Sequence, residues 1–227
     1  VLERELQRPI FFVLGNHDFY GGSIETVRAE MHKLTNLSQF IKYIPLTSYQ
    51  ALSPRTALVG HDGWYDALNG NENSMFLMND WIAIKEFVKC SGGEHFMRVS
   101  REVKDRTELL ALVRCMSREA TKHVMNGIKH AVARHKEIIV ATHVPPFAES
   151  HMHNGRLGDD EAMPWFTSKM MGDMLLDAAR AYRDVEFTIL SGHTHGEYDG
   201  RPVKNMRVLV AGADYGFPRV SSIVGVR

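Results

Sequence analysis

Cysteine is nearly absent from these 227 residues. Cys90 and Cys115 are the only two, at a spacing that matches no metal or redox motif. That excludes a disulfide framework, and both thiols are expected to be buried in a reducing compartment, the cytoplasm. No apolar run is long enough to span a bilayer and no signal peptide is visible, so no membrane association is expected. Net charge is missing too. Lys plus Arg and Asp plus Glu each number 27, so no whole-chain basic field recruits nucleic acid, and only a local patch leaves that partner open. Repeats and low-complexity tracts are also lacking. What remains is 44% hydrophobic and 24% charged, the composition of a globular protein with a sizeable core. The length fits one domain over residues 1–227, with room for an insertion.

Polar, chemistry-bearing residues gather where apolar runs stop. Pro9-Ile10-Phe11-Phe12-Val13-Leu14 ends in Gly15-Asn16-His17-Asp18. A continuous apolar run bounded by glycine reads as a strand buried on both faces, and open α/β sheets bind ligands at the carboxyl ends of such strands. The layout recurs twice. Residues 138–142 run into His143-Val144-Pro145-Pro146, and residues 185–190 run into Ser191-Gly192-His193-Thr194-His195-Gly196. Three strand ends carrying His or Asn imply one shared site, with the donor chemistry of a metal centre. A fourth end, His61-Asp62-Gly63-Trp64-Tyr65-Asp66, reads as a packed turn ahead of a substrate contact. His151 and His153 read as solvent-exposed loop residues. His123, His130 and His135 read as surface or partly packed.

Between these ends the periodicity is helical. Ser23 reads as the N-cap of a helix to about residue 34, with Ile24, Val27, Met31 and Leu34 on one face. Leu109, Val113, Met116, Ala120, Val124, Ile128 and Val132 mark a long amphipathic helix, with Arg106, Glu108, Arg118, Lys122 and Lys129 on its solvated side. A shorter helix is expected over 80–88, with a break at Gly92-Gly93, and residues 69–136 together read as a helical insertion or cap. Asn154-Gly155 is a turn signal, and a methionine-rich helix is expected over 168–183. Gly200-Arg201-Pro202 reads as a turn, and 206–211 and 220–226 as closing strands.

The ordered set of strand ends resembles the calcineurin-like metallophosphoesterases. The last three of that superfamily's five blocks match at Gly15-Asn16-His17-Asp18, at His143 and at Gly192-His193-Thr194-His195. Its first two, Asp-x-His and Gly-Asp, have no match, and the chain reads as one that starts inside a domain. The resemblance implies an α/β fold of two facing mixed β-sheets flanked by helices. It implies that Asn16, His143 and His193 ligate one metal and His195 a second, two divalent ions from among Mn, Fe, Zn and Co. It implies that His17 assists the leaving oxygen, with Asp18 holding it, while hydroxide activated by the dinuclear centre attacks a phosphomonoester or phosphodiester. A nuclease of the same superfamily, or a non-catalytic scaffold keeping the fold, are the alternatives. Three neutral ligands and a lone His195 lead us to expect at most one weakly held ion and little turnover from these residues alone.

Overall fold

The computed structural model describes residues 2–90 and 106–227. The strands are β1 (Ile10–Phe12), β2 (Ile41–Tyr43), β3 (Gln50–Ala51), β4 (Thr56–His61), β5 (Glu137–Thr142), β6 (Met152–His153), β7 (Arg156–Leu157), β8 (Glu186–Ser191), β9 (Tyr198–Val203) and β10 (Met206–Val210). The helices are α1 (Leu2–Leu6), α2 (Ile24–Leu37), α3 (Asp80–Ala83), α4 (Lys85–Cys90), α5 (Thr107–Ala131), α6 (Met163–Phe166) and α7 (Lys169–Ala181). A six-stranded sheet runs in the order β3-β4-β5-β8-β10-β9. Its four central strands are mutually parallel, and β3 and β9 close its edges antiparallel. β1 and β2 form a separate parallel pair.

Alternation along the central strands sorts the layers. Ala57, Val59, Ile138, Val140, Phe187 and Ile189 face α5 and α7, which bury Ala120, Val124, Ile128, Met171, Leu175 and Ala178 against them. Leu58, Ile139, Ala141 and Leu190 point the other way and meet Phe11 of β1 and Val13 just after it. Phe12 and Tyr43 then face Val27 and Met31 of α2. The chain is therefore a mixed α/β protein in which two sheets, one large and one of two strands, lie between helices. No described helix is long and apolar enough to cross a membrane.

Local signals explain most element ends. Ser23 accepts the Thr26 N–H and starts α2. Asn154 and Gly155 both take positive φ, the turn geometry that closes the β6–β7 hairpin. Asp66, brought from the loop after β4, accepts the Met170 N–H at 2.7 Å and so caps α7 from outside.

Other expectations fail for tertiary reasons. Gly200-Arg201-Pro202 lies inside β9, because an edge strand tolerates a proline whose missing N–H faces outward. Residues 220–226 form no strand. The helix expected over 80–88 is two helices, broken where Ile84 turns extended. Arg106 leaves the solvated face, its guanidinium lying over Trp81 and Trp165 at 5.2 and 5.6 Å and donating to the Ser74 carbonyl. His135 and His151 are buried. Cys90 is only half-buried and Cys115 is exposed, both as free thiols. The break read at Gly92-Gly93 lies outside the described residues.

Asp62, the first residue after β4, joins these layers. One carboxylate oxygen accepts the Leu14 N–H at 2.9 Å; the other accepts from Arg28 Nε at 3.0 Å and from the Tyr43 hydroxyl. Its backbone carbonyl accepts the His143 N–H at 2.8 Å. Asp62→Ala strands a buried N–H and a hydroxyl and leaves Arg28 facing Glu119 alone, at 3.6 Å. The expected cost is about 3 kcal/mol in urea unfolding. A loss below about 1 kcal/mol, within reach of ordinary surface substitutions, would show that the joint is dispensable.

Neighbouring His61 is buried, and desolvation, with Arg28 and His123 adding to it, pushes its imidazole down to about 3. The unfolded chain takes up this proton near the ordinary value of about 6.5 and the folded chain only near 3. The stabilisation is therefore full above the first value and is lost as pH falls toward the second, by up to about 1.4 kcal/mol per unit. His61→Gln should flatten the fall in unfolding free energy measured between about pH 6.5 and 4. An unchanged slope would assign that fall to other histidines.

Candidate metal centre

Gly15, Asn16 and His17 leave β1 in a tight 3-10 turn, Asn16–Phe19. The Asp18 carboxylate locks that turn by accepting the Gly15 N–H at 2.7 Å. Its partner is thus the turn backbone, in place of the His17 imidazole that the resemblance assigns to it. A side chain at position 15 would strike the His143 ring, since a Cβ there would sit 2.7 Å from its Cε1. Glycine is what lets the two strand ends approach.

Three of the four expected ligands meet. His143 Nε2 lies 3.0 Å from Asn16 Oδ1 and 3.2 Å from His193 Nδ1. The hydrogen-bond partners decide which atoms face inward. Asn16 Nδ2 donates to Asp80 Oδ1 at 2.7 Å, which turns Oδ1 toward His143. His193 Nε2 lies 3.0 Å from the Trp165 carbonyl and must donate to it, which leaves Nδ1 bare. Asn16 Oδ1 and His193 Nδ1 are both acceptors, so the one proton among the three atoms sits on His143 Nε2. That is the position a cation would take over, and imidazole with amide oxygen is a donor set for borderline dications. Burial lowers His143 far below the ordinary histidine range, with the neighbouring His193 adding to it, and burial lowers His193 as well. Both rings are held neutral, as ligands must be.

His17 and His195 line a cavity of about 280 Å³ that Asn16 and His193 line as well. The His-x-His pair lies in the turn after β8, and both histidines take left-handed backbone, φ 68° and 61°. Each such residue costs on the order of 1 kcal/mol. The turn buries His193 and exposes His195. His195 meets Tyr215 edge-on at 4.9 Å, while His17 stacks on Tyr215 at 5.7 Å and lies 4.6 Å from Tyr20. Phe76, Leu77, Met78 and Phe166 supply apolar lining, and His153 joins the polar side. Among the described residues no three His, Cys, Asp or Glu side chains group as a metal site. The trio has an amide as its third member, and it fits one ion.

Sequence reasoning missed Asp80, Tyr20 and Tyr215, and the Trp165 carbonyl. Tyr65 belonged to a flagged strand end, but nothing in the chain ties Asp80 to Asn16 across 64 positions. Gly15→Ala is expected to displace the His143 ring and to cost about 1–3 kcal/mol by overpacking. Chemical unfolding together with the imidazole NMR resonances checks this. Unshifted His143 signals would mean that the ring does not rest on Gly15.

A model of the calcineurin-like phosphoesterases matches residues 2–197. No curated protein matches the chain. Among solved structures, a dimetal phosphatase from Danio rerio aligns with a TM-score of 0.47 and 12% identity over 89% of this chain. The chain spans 60% of the length of that protein.

Proposed function

Since the chain belongs to the calcineurin-like phosphoesterase family, we propose that it hydrolyses a small phosphate ester with the help of divalent metal. The observation that carries this reading is the convergence of Asn16 Oδ1, His143 Nε2 and His193 Nδ1 beside a cavity bearing His17 and His195. Asn16, His143 and His193 would hold one ion, and His195 would face a second. Such ions, when bound, supply Lewis acidity toward phosphoryl oxygen and lower the pKa of water.

The chain's own residues do the rest. His17, its ring flanked by Tyr20 and Tyr215, gives a proton to the departing ester oxygen. Asp18 keeps the turn that carries His17 closed. Phe76, Met78 and Phe166 exclude water from one part of the cavity and receive the organic portion of the ester. The stretch 69–136, read as a cap, contributes Phe76 to Asn79 to the lining, so substrate choice falls to it. A volume of about 280 Å³ suits a small ester better than a nucleic-acid strand.

Elemental analysis of the purified chain tests the metal reading. Hydrolysis of an aryl phosphate and its diester in added Mn, Fe, Zn or Co is measured on the chain joined to a segment carrying the Asp-x-His and Gly-Asp blocks, since little turnover is expected without them. His17→Ala should cut turnover by roughly 10²–10⁴-fold, the usual scale for a lost general acid, with bound metal unchanged. Metal lost in step with activity would make His17 a ligand. No hydrolysis of either ester with any of the four ions would sink the proposal.

A further inference from the structure

Asp80 is fully buried at the start of α3, yet it forms no ion pair among the described residues. Its three partners are neutral donors. Asn16 Nδ2 and the Tyr20 hydroxyl reach Oδ1 at 2.7 and 2.6 Å, and the Tyr65 hydroxyl reaches Oδ2 at 3.0 Å. Burial first, and then Asp80 itself, push both tyrosines above their ordinary range, so they stay protonated and donate. Every contact therefore treats Asp80 as an acceptor, the pattern of an ionised carboxylate. A lone buried carboxylate is unfavourable unless something offsets its charge, and neutral donors do so only in part. The residue it grips is Asn16, whose other amide atom faces His143, itself 3.2 Å from His193. Those three donors are all neutral, whereas a dication favours anionic oxygen.

We propose that Asp80 is the buried counter-charge for a divalent cation held by Asn16, His143 and His193, acting through the Asn16 amide as a positioning residue. The inference rests on the metal reading above. The carboxylate pulls on the Nδ2 hydrogens and so enriches Oδ1, the atom that would meet the ion. It also fixes the amide against rotation.

Asp80→Asn separates charge from shape. The new Oδ1 still accepts from Asn16 and Tyr20, and the Tyr65 hydroxyl can turn to accept from the new Nδ2. Manganese titrated by calorimetry into parent and variant is expected to bind about 10–100-fold more weakly to the variant, the usual effect of losing a partner behind a ligand. The melting temperature without metal should stay level or rise, while its increase on adding manganese should shrink. Equal affinity in the two chains, or a melting temperature that falls equally with and without manganese, overturns the proposal alone. A parent that takes up no manganese overturns the metal reading and this inference with it. Should Asp80→Asn not fold, the double variant Asn16→Asp/Asp80→Asn keeps one carboxylate in the pair. It should bind manganese at least as tightly as the parent, and tenfold weaker binding would refute the charge argument.

Discussion

Everything near the site depends on one buried carboxylate at the end of β4. Asp62 holds the end of β1 through Leu14, the end of β2 through Tyr43, and α2 through Arg28. The same residue's carbonyl takes the N–H of His143. Two sheets that share no strand pairing are thereby tied at a single corner. That corner is where Asn16 must reach His143 to within 3.0 Å. Burial drives the Asp62 carboxyl above its ordinary range, and Arg28 limits the rise. A neutral residue of the same size could fill the space but could not satisfy three donors from three elements.

Around that corner the polar groups divide by charge. His193 is buried and His143 half-buried, both imidazoles are held neutral, and the Trp165 carbonyl sets which nitrogen of His193 is free. Asp80 lies behind Asn16 with its oxygens turned to donors only. The open side of the site is built differently, from exposed rings: His17, His195 and Tyr215 lie against one another at the mouth of the cavity. The trio is thus preset by its hydrogen-bond partners, and the rings of His17 and His195 sit where the cavity opens. Left-handed backbone at His193 and His195 is part of that division, since it sends one ring inward and leaves the other exposed.

Much of this was legible in the chain. Apolar runs ending in Gly15, His143 and Gly192 located three strand ends, although burial on both faces was too strong a reading: β1 is half-buried along its length and β8 carries an exposed Glu186. The N-cap at Ser23 and the turn at Asn154-Gly155 were equally plain, being set by interactions within three or four residues. The misreadings share a cause. Pro202 looked like a turn because its place at a sheet edge is a property of strand order. Arg106 looked solvated because the two tryptophans beneath it come from residues 81 and 165. His151 looked exposed because the ring that covers it, Phe166, stacks at 5.1 Å from a different segment.

By itself, then, the sequence determined the α/β class and the family resemblance and pointed to four candidate ligands, since these follow from periodicity and from motifs a few residues long. It could not determine that Asn16, His143 and His193 meet, nor that Asp80 backs the amide. Those facts depend on close approaches between segments 50 to 127 positions apart. Such approaches are set by how the sheets stack and by the absence of a side chain at Gly15. The tertiary structure alone decided them, because hydrogen bonds and charges act over a few ångströms of space, whatever the separation along the chain.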